Sequence, residues 1–253
     1  MTSAERETLD IDVLFVGAGP ASLAGAYHLA KLIANHNARA SVGAPIELSI
    51  AVLEKGSEVG AHGFSGAIVD PRSLRELFPD KFSAIPFEAE VGREHLWWLT
   101  REKAISLPEP PPLKNHGNYV ASLGKLVKWM AKEVEALGVD IFCEFPGRTL
   151  LYDAGAEGPD RRVAGVRTGD KGIGKDGRRK ANFEPGVDIR SQMTVLGEGP
   201  RGTLAKELDG RFGLSAGKNP QVYALGIKEV WELPQGRFEA GEIWHTMGWP
   251  MWP

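Results

Sequence analysis

The stretch DIDVLFVGAGPASLAGAYHLAKLI, residues 10–33, decides the fold of this chain. Its apolar run at residues 13–16 predicts a short buried strand. The residues after the glycines, which include Leu23 and Ala26, recur at helical spacing. Between them the pattern Gly17-x-Gly19-x-x-Ser22 predicts a strand–turn–helix. In such a unit the first backbone N–H groups of the helix face a pyrophosphate.

Ser22 stands where this glycine pattern usually has glycine or alanine. Its hydroxymethyl group falls at the contact between helix and strand. We therefore expect slightly looser packing there, which the small neighbours Ala21, Ala24 and Gly25 could absorb.

A second predicted strand, IELSIAVLEK at residues 46–55, follows the polar loop NHNARASVGAP and contains Glu54 near its end. An acidic side chain at the end of the second strand is typical of dinucleotide sites, where it accepts hydrogen bonds from ribose hydroxyls. The alternative is an ordinary βαβ unit with a surface glutamate. The combination of both features favours the dinucleotide site.

The composition excludes several other classes of protein. The chain has 253 residues, 42% of them hydrophobic, and a net charge of −3, so a nucleic-acid partner is not expected. The chain has a single cysteine, Cys143, which lies in an apolar run. Because there is only one, internal disulfides and any iron–sulfur cluster ligated by this chain alone are excluded. The acidic start resembles neither a secretory signal nor a transit peptide, and no apolar run approaches the ~20 residues that would span a bilayer.

The stretch EKGSEVGAHGFSGAIVDP, residues 54–71, is rich in small residues that let the backbone pass close to a flat ligand. In this stretch the chain resembles the electron transfer flavoprotein–ubiquinone oxidoreductases. The resemblance continues through NHGNYVASLGKLVKWMAKEVEALGVDIF, GDKGIGKDG, GEGPRGTLAKEL and YALGIKEVWELP, in the family's order. The segments around His-Gly-Phe-Ser-Gly and Asn-His-Gly-Asn-Tyr are more specific than the glycine pattern alone.

The resemblance implies an α/β fold: an FAD-binding Rossmann-type, three-layer ββα domain, followed by the beginning of an antiparallel-sheet domain that binds quinone. We expect a tail at 1–11, an FAD-binding domain at 12–212 with inserted segments 81–115 and 150–190, and the start of the quinone-binding domain at 213–253. Residues 221–233 and 241–250 are expected to be strands of the second domain. The chain would then end within a sheet, which indicates a truncated, N-terminal part of a longer protein.

The resemblance also implies which residues contact FAD. They belong to the first glycine turn, to the end of the second strand, to the flavin-side segment and to a second glycine turn. The expected contacts are Gly17, Ala18, Gly19, Pro20, Ala21, Ser22, Glu54, Lys55, His62, Ser65, Gly66 and Gly199. Arg201 is a further candidate for a phosphate contact, or else a solvated arginine. No catalytic side chain and no metal ligand is expected.

The activity implied is FAD-dependent electron transfer from reduced electron transfer flavoprotein to ubiquinone, with this chain as an incomplete part of the oxidoreductase. The family's iron–sulfur cluster has no ligands in this sequence. The expected location is peripheral, on the cytoplasmic face of a bacterial inner membrane or on the mitochondrial inner membrane. Membrane contact is expected through Arg72–Phe78, for which an ordinary helix packed on its own core is the alternative. Other functional alternatives are a geranylgeranyl-reductase-like or hydroxylase-like flavoprotein and a non-catalytic FAD-binding remnant.

Overall fold

The computed structural model describes residues 6–39, 44–64, 66–153 and 162–251. Its contacts divide the chain into two compact units. Unit 1 comprises Met1–Gly63 and Val127–Ala224, and unit 2 comprises Phe64–Leu126 and Leu225–Pro253. The functional domain boundaries expected from the sequence, 12–212 and 213–253, stay a prediction.

Strands outnumber helices in the residues that the structure describes. The strands are β1 (Thr8–Val16), β2 (Ile50–Leu53), β3 (Ala67–Val69), β4 (Phe87–Glu90), β5 (Glu94–Leu99), β6 (Ala104–Leu107), β7 (Tyr119–Ala121), β8 (Asp140–Phe142), β9 (Gly147–Tyr152), β10 (Val163–Thr168), β11 (Lys171–Ile173), β12 (Arg179–Glu184), β13 (Asp188–Leu196) and β14 (Ile243–Gly248). The helices are α1 (Pro20–Arg39), α2 (Arg72–Leu77), α3 (Leu123–Glu135) and α4 (Thr203–Phe212), with 3-10 turns at Pro79–Ala84 and Pro111–Leu113.

Unit 1 is built on a six-stranded sheet in the order β8-β2-β1-β13-β10-β9. The first four strands of that order are parallel, and β10 and β9 add antiparallel pairs. β1 lies inside the sheet and its last four residues are all buried, which explains their uninterrupted apolar sequence. The carboxyl ends of β1, β2 and β13 therefore lie side by side, where ligands of such sheets bind.

Helix α1 packs on β1 and β2 through small side chains. Its buried residues include Leu23, Ala26 and Ala30, at the spacing of one helical face. A side chain at Gly25 would lie 3.0 Å from the Phe15 ring, so the helix and β1 approach closely at that glycine. Helix α4 lies against β9, and Leu204 belongs to the sheet's buried cluster. This arrangement confirms the predicted α/β, Rossmann-type fold.

Unit 2 contains two three-stranded sheets, in the orders β14-β5-β6 and β3-β7-β4. β14 pairs with β5 in parallel, and β5 pairs with β6 antiparallel, so the first of these sheets is mixed. The β3-β7-β4 sheet is antiparallel throughout.

Of the two strands predicted in residues 213–253, one is confirmed and one is wrong. The strand predicted within 241–250 is β14. The predicted strand at 221–233 is wrong, because those residues form no helix or strand in the structure. Their apolar side chains are largely exposed, with Leu225 at 95% and Val230 at 80%. An apolar pattern predicts a strand, but a strand also requires a pairing partner for its backbone.

Candidate dinucleotide-binding site

The first glycine turn lies at the carboxyl end of β1, as predicted. Gly17 has φ +95°, a backbone conformation that is strained for any residue with a Cβ atom. Its N–H donates to the Leu53 carbonyl oxygen at 2.7 Å, which ties the turn to the end of β2. A Cβ at Gly17 would lie 2.7 Å from the Gly197 carbonyl oxygen. Glycine is thus required at this position both by conformation and by contact.

The two glycine turns, at residues 17–19 and 197–199, pack against each other. Gly197 donates its N–H to the Val16 carbonyl oxygen at 2.9 Å. A Cβ at Gly197 would overlap the Ser22 hydroxyl oxygen. Ser22 is 2% exposed. The sequence suggested that small neighbours on α1 would make room for Ser22, but Gly197, the first residue after β13, does so.

Two other glycines leave open space. A Cβ at Gly19 or at Gly199 would meet no atom within 4 Å. A ligand can therefore approach the backbone at both positions without a side chain in its way. Such an open cradle fits the pyrophosphate of a dinucleotide.

The start of α1 offers hydrogen-bond donors beside Gly19. The helix begins at Pro20, whose fixed φ suits the first position, and it carries no acidic side chain in its first turn. The Leu23 N–H is bonded to the Gly19 carbonyl oxygen at 3.0 Å. The N–H groups of Ala21 and Ser22 precede that bond and have no acceptor within the helix. With the positive end of the helix dipole they favour an anion.

Glu54 follows β2 directly, and its side chain is 12% exposed. Its Oε2 accepts the Ala18 N–H at 3.1 Å, and its Oε1 accepts the Gly56 N–H at 2.7 Å. Ala18 is itself 3% exposed. The carboxylate therefore lies beside the first glycine turn, close to the position that the sequence predicted for a ribose contact.

Two of the other predicted contacts lie near Glu54 in unit 1, and a third lies in unit 2. His62 Nδ1 is 3.8 Å from Glu54 Oε1, and its side chain is 60% exposed. Lys55 is exposed beside Glu54. Gly66 has φ +89° and open space around it, and it lies in unit 2. Ser65 lies outside the described residues.

The second glycine turn follows β13 and precedes α4. The amino-terminal N–H groups of α4 are already bonded to a carboxylate of the protein itself. Glu198 Oε1 accepts the Thr203 N–H at 3.1 Å and Oε2 accepts the Ala205 N–H at 3.0 Å, so this carboxylate caps α4. The guanidinium of Arg201 lies 5.6 Å from the centre of the Tyr223 ring. Arg201 is exposed and stays a candidate for a phosphate contact, and the backbone at Gly199 is open to a ligand.

A polar cavity of about 470 Å³ lies toward the amino end of β1. Its lining includes Asp10, Asp12, Asp153 and Arg190. In open parallel sheets ligands bind at the carboxyl ends of strands, and in this sheet the open glycines and free N–H groups also lie there. We therefore place the candidate site at the glycine turn and not in this cavity.

Unit 2 contains a buried polar cluster that sequence reasoning missed. The side chain of Glu94, at the start of β5, is 8% exposed. It accepts the Asn115 N–H at 2.6 Å and the Asn115 side-chain amide at 2.7 Å. His245 Nε2, on β14, lies 3.5 Å from Glu94 Oε1. Burial acts to raise the pKa of Glu94, but the Asn115 hydrogen bonds and His245 together lower it.

We expect Glu94→Gln to destabilise unit 2 by about 2 kcal/mol at neutral pH, because a Gln amide would turn a donor toward the Asn115 donors. The lowered pKa means that Glu94 adds stability at pH values above its unfolded pKa. That stability is lost as pH falls through the folded pKa, below the ordinary value of 4.5. The difference from wild type should therefore shrink in acid.

Urea denaturation followed by tryptophan fluorescence measures this, since six of the seven tryptophans belong to unit 2. Glu88→Gln is the matched control, because Glu88 pairs with Lys125 on the surface and should change stability little. Equal stability of Glu94→Gln and wild type at pH 7 would contradict the assigned role.

The segment Arg72–Phe78 forms α2 and the residue after it. Leu74 is 8% exposed and Phe78 is 1% exposed, so these apolar side chains pack inside the protein. Arg72 is exposed and bonded to Asp70 at 2.6 Å. Among the residues that the structure describes, no helix is long and apolar enough to cross a membrane, and no cluster of metal-ligating side chains occurs.

Comparison with solved structures agrees with this architecture. A myxobacterial FAD-dependent halogenase, CndH, matches with a TM-score of 0.50 at 15% identity, over 78% of this chain and 39% of the halogenase chain. At that identity the likeness concerns the fold alone. Together with the strand order and the glycine turn, it defines the class: a Rossmann-type α/β fold.

Sequence comparison finds more similar proteins. The electron transfer flavoprotein–ubiquinone oxidoreductase, mitochondrial, of Oryza sativa subsp. japonica is 44% identical over 98% of this chain. The Arabidopsis thaliana protein of the same name is 42% identical over all of it. A family model described as "ETF-QO, ubiquinone-binding" matches residues 223–253. The chain is thus a homologue of electron transfer flavoprotein–ubiquinone oxidoreductase, and it spans 41% and 38% of the lengths of these two relatives.

Proposed function

We propose that this chain is the FAD-holding part of an oxidoreductase that passes electrons from reduced electron transfer flavoprotein to ubiquinone. The observation that carries the proposal is the open glycine turn after β1, with Glu54 beside it, in a chain 44% identical to a relative of that name.

In the proposed complex the N–H groups of Gly19, Ala21 and Ser22 hold the pyrophosphate, and Glu54 holds the adenosine ribose. Gly17 shapes the turn, while Ala18 and Pro20 complete it. Gly199 lets the second turn approach the same phosphates. Lys55, His62, Ser65 and Gly66 are proposed contacts farther along the cofactor. Electron transfer is the chemistry that bound FAD supplies, and these residues bind and orient it.

This sequence can supply only part of the proposed reaction, because it lacks ligands for an iron–sulfur cluster. Cys143 is the single cysteine, so the family's iron–sulfur cluster cannot be held by this sequence. The proposed division of labour places FAD binding in 12–212 and the beginning of quinone binding in 213–253. The match of 223–253 to a ubiquinone-binding model supports the second part.

The proposed location is peripheral, at the inner membrane, on its cytoplasmic face in a bacterium. Peripheral contact through Arg72–Phe78 would use charged side chains and not the apolar ones. Arg72 has an 89% exposed side chain, whereas Leu74 and Phe78 are buried. Such a contact would be electrostatic, with anionic headgroups.

The proposal predicts that the purified chain retains FAD after incubation and gel filtration, with one flavin per chain measured by absorbance. Reduced electron transfer flavoprotein should then bleach the bound flavin, and ubiquinone should restore its colour. A nicotinamide donor should not bleach it. A chain that stays colourless in excess FAD would contradict the proposal, and bleaching by a nicotinamide donor alone would assign a different flavoprotein activity.

A further inference from the structure

We infer that Glu54 is a positioning residue that holds the first glycine turn in its binding shape, in addition to contacting the ribose. This inference rests on the function proposed above. The carboxylate has this role in the protein without bound nucleotide.

The geometry separates the two oxygens of the carboxylate. Oε2 accepts from Ala18, in the turn after β1, and Oε1 accepts from Gly56, in the turn after β2. One side chain therefore ties together the ends of two neighbouring parallel strands. The backbone of Glu54 is fixed as well, since its N–H donates to the Phe142 carbonyl at 2.8 Å and its own carbonyl accepts from Phe145 at 2.9 Å.

The Ala18 N–H needs this partner. Ala18 is 3% exposed, so loss of the Glu54 oxygen would leave a buried donor unpaired. Such a donor favours a change of backbone conformation that exposes it to water. A changed turn at Ala18 would move Gly19 and the start of α1, which carry the proposed phosphate contacts.

A carboxylate has about four lone-pair positions, and backbone donors use two of them at Glu54. The remaining positions can accept from two ribose hydroxyls. The ribose and the turn can thus share one carboxylate, and a ligand that lacks ribose hydroxyls separates the two roles.

The test compares Glu54→Gln with wild type by calorimetric titration of ADP and of 2′,3′-dideoxy-ADP. A Gln side chain has one acceptor oxygen, so it cannot satisfy both Ala18 and Gly56. We expect Glu54→Gln to weaken binding of the dideoxy nucleotide about tenfold, and of ADP by more. Unchanged affinity for the dideoxy nucleotide, with weakened ADP binding, would overturn the positioning role and leave only the ribose contact.

Glu58→Gln is the matched control on the same loop. Its Oε1 pairs with Lys128 Nζ at 2.7 Å and both side chains are exposed, so affinity for either nucleotide should not change. Equal losses in both variants would mean that the loop as a whole, and not Glu54, is responsible.

A second measurement needs no ligand. In Glu54→Gln the amide protons of Ala18 and Gly56 should exchange with solvent faster than in wild type, because they lose the carboxylate that accepts both of them. In Glu58→Gln they should keep their wild-type exchange rates. Unchanged exchange at Ala18 and Gly56 in Glu54→Gln would overturn the inference. If wild type binds neither nucleotide, the proposed function fails, while the amide exchange still decides whether Glu54 holds the turn.

Discussion

Gly17→Ala is expected to destabilise unit 1 and abolish FAD retention. Alanine at φ +95° is strained, and its Cβ would lie 2.7 Å from a backbone oxygen of Gly197 that cannot rotate away. Strain of this kind costs about 1–2 kcal/mol, and the overpacking adds about 1–3 kcal/mol. Urea denaturation followed by far-ultraviolet circular dichroism measures the stability, and gel filtration after incubation with FAD measures retention.

Gly19→Ala is the matched control two residues away. A Cβ there meets no atom within 4 Å, so stability should change by less than about 1 kcal/mol. FAD affinity should nevertheless fall, because the methyl group would fill the space through which the pyrophosphate reaches the backbone. A stable Gly17→Ala variant, or Gly19→Ala with undiminished FAD affinity, would contradict the proposed site at the first glycine turn.

Gly165→Ala is expected to cause a second large loss of stability. Gly165 has φ +136° in β10, and a Cβ there would overlap the Ile189 carbonyl oxygen of the adjacent strand. Gly165 and Ile189 lie in the paired backbones of β10 and β13, so the overlap can be relieved only if the two strands separate. We expect a loss of at least about 3 kcal/mol in urea denaturation.

Gly210→Ala provides the control for this second change. Gly210 lies in α4, is exposed and has no neighbour within 4 Å of an added Cβ. Alanine there should stabilise the chain by about 0.5–1 kcal/mol, because glycine loses more backbone entropy in a helix. Similar effects of the two substitutions would show that the β10–β13 contact is not tight.

Local sequence patterns were sufficient for the β1–turn–α1 unit. The apolar run, the two glycines and the helical spacing each predict local structure, and all of them lie within about twenty residues of one another. Glu54 could also be placed, because the end of the second strand is fixed relative to the first by parallel pairing. Its hydrogen bonds to Ala18 and Gly56 were not visible in the pattern, since backbone donors carry no sequence signal.

The packing around Ser22 depended on a residue far away in the chain. Gly197 makes room for the Ser22 hydroxyl, and it lies next to Ser22 only because β13 pairs with β1. The sequence suggested accommodation by neighbours on α1 instead. A contact between residues so far apart can be inferred only once the strand order is known.

The Glu94 cluster was missed for the same reason. Glu94 and His245 meet because β14 pairs in parallel with β5, with Ile243 opposite Glu94. Nothing in either local stretch indicates that pairing. The wrong strand at 221–233 is the converse case, in which an apolar pattern lacked a partner among the described residues.

A crystal structure of the chain with FAD would show directly whether the first glycine turn holds the cofactor. We expect the pyrophosphate within hydrogen-bond distance of the N–H groups of Gly19, Ala21 and Ser22, with the adenosine ribose at Glu54. FAD found in the polar cavity beside Asp12 and Arg190, or anywhere else away from the first glycine turn, would contradict this expectation.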